Sequence, residues 1–372
     1  MKNIRAYIAG AIMAVFGLVP PIYFSFDAPS EYWPWWIVMA GFAGFYTLFL
    51  NISPFIKVIA VGGFINCFFS TAPFISFTAY ISLVACCYFY ILCKNIKDYV
   101  PVFKILQCLL FFVGFMFIMQ FFGMDRLLNF GRSRTFDGNY CFGVVGQHMQ
   151  SGSFSVILAA ALLPFSWFNI SFPIITSLIT NSAGTFLCSI VGFLSWIRCR
   201  KIKISPVVFF GFFFTIFLLW INCSNKFYQN FNYYDGRSFV WYHSLRMAWE
   251  HPFAGWGMST YKVLFPALGG IKSIPWKTAH NCWIQIIFEF GYIGFFVVLS
   301  YFGYLFISLW KLTRRASHRV QAYKCLAGLA MISVNMMFHF PSRMIQTVLI
   351  IIFFLAYCES FIGGSHYGFN KS

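Results

Sequence analysis

The feature that constrains this chain most is its alternation of apolar runs with short polar breaks. Such runs stand near residues 6–24, 34–50, 56–70, 74–92, 103–122, 153–168, 171–180, 184–197, 205–221, 283–310, 320–337 and 345–358. A helix needs about 20 apolar residues to cross a hydrocarbon core roughly 30 Å thick, and runs of about 10 to 14 are more often re-entrant. The pattern predicts an all-α polytopic membrane protein of about 12 transmembrane helices, with the third, seventh and last runs short enough to be re-entrant instead. Charged residues make up 9% of the 372 and the mean hydropathy is +0.74, whereas soluble domains carry about 25% charged residues. Residues 1–372 therefore read as a single integral membrane domain, with its chemistry confined to loops and helix ends. The run from Ala6 to Phe24, behind Lys2 and Arg5, lacks a clear small-x-small cleavage site and reads as a retained first span.

Lys and Arg number 26 against 9 Asp and Glu, a formal charge of +17. In a soluble chain this would suggest nucleic acid; here the distribution along the membrane answers first, and no nucleic-acid partner is expected. With the N-terminus inside, cytoplasmic positions collect Lys94, Lys97, Arg198, Arg200, Lys201, Lys203, Lys311, Arg314, Arg315 and Arg319 against Asp98 and Glu359, as the positive-inside rule requires. These cations read as orientation signals and contacts to membrane lipids. Outer segments need no such signal, yet they hold Arg126, Arg132, Arg134, Arg237, Arg246 and Arg343. Five of these lie on two long outer loops, 123–152 and 222–282, the latter between spans 9 and 10. Arginine grips phosphate with a bidentate fork, so an outward site for an anionic, lipid-borne substrate follows. The plainer alternative is anchorage to outer-leaflet headgroups.

Within the second loop, Asp235-Gly236-Arg237-Ser238 opens a predicted helix that Asp235 caps and that runs to about Glu250 before Pro252. Arg237 sits on its first turn and Arg246 on the opposite face, so one helix cannot aim both at one phosphate. The loop closes on Ala279-His280-Asn281, followed after nine residues by Gly291-Tyr292-Ile293-Gly294. On a continuous helix these offsets bring Gly291 and Gly294 within about 40° of the His280 face, an arrangement for close helix packing below an imidazole at the outer mouth. A lone interfacial histidine is commonly structural. Its conjunction with these glycines and an arginine-bearing loop points instead to a base for a hydroxyl.

The His-Asn, nine residues, Gly-x-x-Gly pattern resembles the signature of bacterial O-antigen ligases and the related O-antigen polymerases and protein O-oligosaccharyltransferases. The resemblance implies a GT-C-like fold in the bacterial inner membrane, with its active site on the periplasmic face. It also implies transfer of a glycan from undecaprenyl pyrophosphate to an acceptor hydroxyl of lipid A core or of another glycan, without metal or cofactor. In that reading His280 is the catalytic base and Arg237 the pyrophosphate contact. Arg132, Arg134, Arg246, Asn281 and Arg343 are further substrate-binding candidates, and Gly291 and Gly294 form the structural motif. Arg134 with Gly138 and Gly146 resembles the family's first outer loop. Many members open the eighth span with Ser-Arg, whereas this chain reads Asn181-Ser182-Ala183-Gly184, which leaves that arginine to be replaced by Arg132 or Arg343.

Two rival readings compete. Asp27 and Glu31 resemble a carboxylate pair for a metal-dependent transferase, although Pro29 between them favours a turn. A transporter of lipid-linked polyanions would place ionisable groups near the bilayer midplane, and the runs carry almost none besides Glu289. The 12 cysteines sit mostly within apolar runs without CxxC spacing and read as small core residues.

Overall fold

The structure is a computed structural model and describes residues 4–18, 54–121, 136–137, 140–141, 148–180, 182–200, 236–268, 277–339 and 345–364. Helices come in the order α1 (Ile4–Leu18), α2 (Pro54–Phe69), α3 (Pro73–Lys94), α4 (Val100–Phe121), α5 (His148–Leu162), α6 (Ser171–Thr180), α7 (Ala183–Arg200), α8 (Arg237–Ala248), α9 (Tyr261–Leu268), α10 (Cys282–Thr313), α11 (Arg319–Phe338) and α12 (Ile345–Ile362). A two-residue ladder, β1 (Phe136–Asp137) with β2 (Tyr140–Cys141), is the one sheet among the described residues. The runs expected at 34–50 and 205–221 lie outside the described residues; the other ten fall on helices. Among the described residues, three helical segments are long and apolar enough to cross a bilayer, Pro73–Lys94, Val100–Met119 and Cys282–Thr313, while other apolar helices are shorter. The described residues thus give a helical membrane protein with three full-length candidate spans.

Helix α5 forms the centre. From Phe154 to Leu162 it is buried on every side, as expected of a helix apolar all round. Its run Ala159-Ala160-Ala161 lets α11 approach closely, and a Cβ on Gly328 would lie 2.7 Å from the Ala160 carbonyl oxygen. Small residues at crossings replace the hydrophobic drive that lipid removes. Phe64, Phe68, Phe111, Phe115, Ile293, Phe296 and Ile307 are exposed on the outside of the helices, where hydrocarbon rather than water would receive them.

Loop contacts fall into two sets at opposite ends of the bundle. At one end Arg5 donates to the Asn95 carbonyl (3.3 Å), Lys94 pairs with Glu359, and Gln321 and Lys324 reach the Pro164 carbonyl. At the other end Thr71 binds the Trp256 carbonyl, Ser182 meets His339, and Arg237 reaches Phe338.

Helix α10 is not continuous. Gly291 has φ 66° and ψ −174°, a region essentially reserved for glycine, and it divides the 32-residue helix into an end piece, Cys282–Phe290, and a shaft, Tyr292–Thr313. The shaft alone is about 33 Å long, enough to span. The break frees backbone groups, and the loop Pro252–Gly257 satisfies them: Trp256 and Gly257 N–H donate to the Phe288 and Glu289 carbonyls (2.9 and 3.0 Å), and Tyr292 N–H donates to Pro252 (2.7 Å). Asn66 of α2 fastens the joint, donating to the Ala254 carbonyl (2.7 Å) and accepting from Met258 N–H (2.9 Å).

This geometry corrects the helical-face reading of the glycines. His280 precedes the helix and Gly291 breaks it, so the 11- and 14-residue offsets do not define one face. Gly291 serves instead to admit a loop, since a Cβ there would stand 2.3 Å from the Phe253 carbonyl oxygen. Gly294 lies in the helical shaft, against Phe290. Gly291→Ala is expected to destabilise the protein by at least the upper part of about 1–3 kcal/mol, read as a fall in thermal midpoint in detergent. Gly303→Ala in the same helix, where nothing lies within 4 Å of the added Cβ, should be neutral or stabilising by up to about 1 kcal/mol.

Candidate active site

Helix α8 carries the first part of the site. Gly236 stands at its N-cap without a side-chain cap bond; Asp235, the expected cap, lies outside the described residues. The helix ends at Ala248, slightly before the expected Glu250. Its buried stripe, Val240, Ser244, Met247 and Ala248, fixes it to the neighbouring loop: Ser244 shares a 2.7 Å hydrogen bond with Tyr261, and Trp256 donates to the Met247 carbonyl (2.9 Å). Arg237 and Trp241 are one turn apart and share a face. Trp241 Nε1 donates to the Ala279 carbonyl at 2.8 Å, and Arg237 Nη1 to the Phe338 carbonyl at 2.9 Å.

His280 is held from both sides. The carbonyl of the preceding Ala279 accepts from Trp241, while Asn281 is the N-cap of α10, its Oδ1 accepting from the Trp283 and Ile284 N–H groups (3.0 and 3.2 Å). Between these anchors His280 adopts φ 52°, a left-handed conformation uncommon outside glycine although histidine is among the residues enriched there. Strain of this kind persists only when the surroundings over-determine it. Burial, and then the positive charge of Arg237, push the imidazole down to about 3 from its ordinary 6.5, so it is neutral at physiological pH. Burial also lowers Arg237, to about 10, which leaves the guanidinium charged.

The Phe338 carbonyl that Arg237 reaches belongs to the last residue of α11, where helix carbonyls lack partners and the dipole is negative. The next residue, His339, is buried at 3% exposure. Its Nε2 stands 3.4 Å from Ser182 Oγ, and its carbonyl accepts from the Cys282 thiol at 3.6 Å. A Cβ on Gly184 would come within 2.6 Å of that Nε2. The turn at 338–339 therefore touches both Arg237 and the segment immediately after His280. His339 lies outside the His-Asn signature, so no local pattern singles it out. The available signal was topological: alternate crossing of the runs puts the end of the eleventh on the same side as the 222–282 loop.

Arg246 is exposed on the far face of α8, beside His243, whose basicity is lowered by burial and then by Arg246. His243 packs on Phe239 and His251 on Trp256, each with ring centroids 4.1 Å apart. Neither histidine joins the His280 cluster through these contacts. Arg126, Arg132, Arg134, Gly138, Gly146, Asn181, Arg343, Asp27, Pro29 and Glu31 lie outside the described residues. Among the described residues no group of three or more His, Cys, Asp or Glu is placed to hold a metal.

Residues 168–299 match a family model described as O-antigen ligase. The match covers 132 of the 372 residues. The matched segment holds Arg237, His280, Asn281, Gly291 and Gly294, so the signature residues and the break in α10 fall within it. His339, which the fold brings against it, lies beyond. No curated protein matches the chain. Residues 168–299 are thus similar to the O-antigen ligase family.

Proposed function

We propose that the chain moves a glycan from undecaprenyl pyrophosphate to an acceptor hydroxyl, of lipid A core, at the periplasmic face of the bacterial inner membrane. The observation that carries this is the convergence of a charged guanidinium and a neutral imidazole at one end of the bundle, opposite the end rich in Lys and Arg. Arg237 holds the pyrophosphate. The acceptor oxygen attacks the anomeric carbon, its proton passes to His280, and the bond from that carbon to the pyrophosphate oxygen breaks. Negative charge grows on the leaving pyrophosphate, where Arg237 stabilises it. No metal is required, since the leaving group is already a good one, and transfer should persist in a chelator. His280 acts as base in its neutral form, and the anionic donor offsets the Arg237 charge that depresses its basicity.

The pH dependence tests this directly. Free enzyme is reported by kcat/KM and the donor complex by kcat. Because the free imidazole lies far below 6.5, the acid limb of kcat/KM should fall below the ordinary histidine range, and the limb of kcat should lie higher. Coincident limbs near 6.5 would contradict the assignment. Ligation is separated from polymerisation by supplying donor alone: a ligase needs the lipid A core acceptor, whereas a polymerase, or a protein O-oligosaccharyltransferase given its protein acceptor, builds a different product.

A further inference from the structure

A second basic site lies at the opposite end of the bundle. Helix α11 packs against both α7 and α10, and a cavity of about 730 Å³ opens beside it, lined by Leu194 and Arg198 from α7, Trp310 and Arg314 from the end of α10, and Arg319 and Tyr323 from the start of α11. This is within the range of about 300–1,000 Å³ typical of ligand pockets. Three arginines from three structural segments converge there, and no Asp or Glu is among the lining residues. Orientation in the membrane requires positive charge at this end, but not guanidinium groups gathered around one cavity.

The backbone reinforces the positive field. Arg319 is the first residue of α11, a 20-residue helix whose N-terminus presents unpartnered N–H groups and the positive end of its dipole. The opposing negative end of α10 is already capped: the Lys311 and Leu312 carbonyls accept from Arg314 and Arg315 N–H groups, and the Thr313 carbonyl accepts from Arg319 Nε (3.2 Å). That last bond orients the Arg319 guanidinium. Toward the bilayer interior the cavity continues into apolar surface, with Leu194 44%, Trp310 48% and Ile307 58% exposed.

We infer that this cleft binds the phosphate-bearing headgroup of an anionic membrane lipid, with its acyl chains along the exposed faces of α7 and α10. Bidentate guanidinium pairing supplies the headgroup contact, and the apolar wall favours a lipid over a free phosphate. The site is separate from the transfer chemistry at the other end.

Native mass spectrometry of the full-length protein in detergent tests this, with phosphatidylglycerol as probe and phosphatidylcholine as reference. The wild-type protein should prefer phosphatidylglycerol, and Arg314→Gln with Arg319→Gln should weaken that binding at least about tenfold, as expected for losing charge-assisted hydrogen bonds. Lys311→Gln with Arg315→Gln removes equal charge from outside the cleft lining and should leave the preference within about twofold. Should the first variant fail to fold, Leu194→Trp narrows the cleft without changing charge and is expected to lower occupancy alike. Equal binding by wild type and the cleft variants would overturn the site, as would equal loss in the control. Displacement by glycerol phosphate at matched concentration would overturn the lipid assignment in favour of a free anion.

Discussion

His280→Ala lowers glycan transfer by about 100- to 10,000-fold, the range associated with a positioned general base, while donor binding persists. The expectation rests on position as much as on chemistry. The backbone at His280 is fixed by Trp241 on one side and by the Asn281 cap on the other, so truncating the imidazole leaves the supports in place. His280→Gln should be similarly impaired, because an amide keeps hydrogen bonding but does not take up the proton. Near-normal turnover by folded His280→Ala, measured with a defined lipid-linked donor and acceptor, would make His280 a structural residue of the loop.

Arg237→Ala is expected to cost about 100- to 1,000-fold in transfer, the scale of losing one preorganised group that stabilises developing charge, with weaker donor binding as well. Arg237 also caps the last carbonyl of α11, so part of any effect could be loss of folding. Arg237→Lys separates the two roles. An ammonium retains charge and can still reach one carbonyl, but it lacks the fork that grips phosphate, so the thermal midpoint should hold while donor affinity and turnover fall. If Arg237→Lys binds donor and transfers as wild type does, the phosphate contact belongs to Arg132, Arg134 or Arg246.

The helices were legible in the sequence because apolar runs report burial in lipid directly, and ten of the twelve expected runs coincide with described helices. Arg237 and Arg246 were correctly placed on opposite faces, since 100° per residue holds along the uninterrupted α8. The same arithmetic failed across α10. Hydrophobic periodicity continues through Gly291 although the backbone there is not helical, and the break is stabilised by a loop that Asn66 anchors from a distant helix. His339 was missed for a related reason: its burial against Ser182 and Gly184 depends on the packing of α11 on α7, which no local pattern records.

The central claim is that one end of this bundle joins a glycan to a hydroxyl at the expense of a lipid pyrophosphate linkage. It is tested most directly by reconstituting the purified protein in liposomes with a defined undecaprenyl-pyrophosphate-linked glycan and a lipid A core acceptor, then following both products together. The account predicts one undecaprenyl pyrophosphate released for each glycan joined, with both lost in His280→Ala; movement of intact donor across the bilayer without joined product would contradict it.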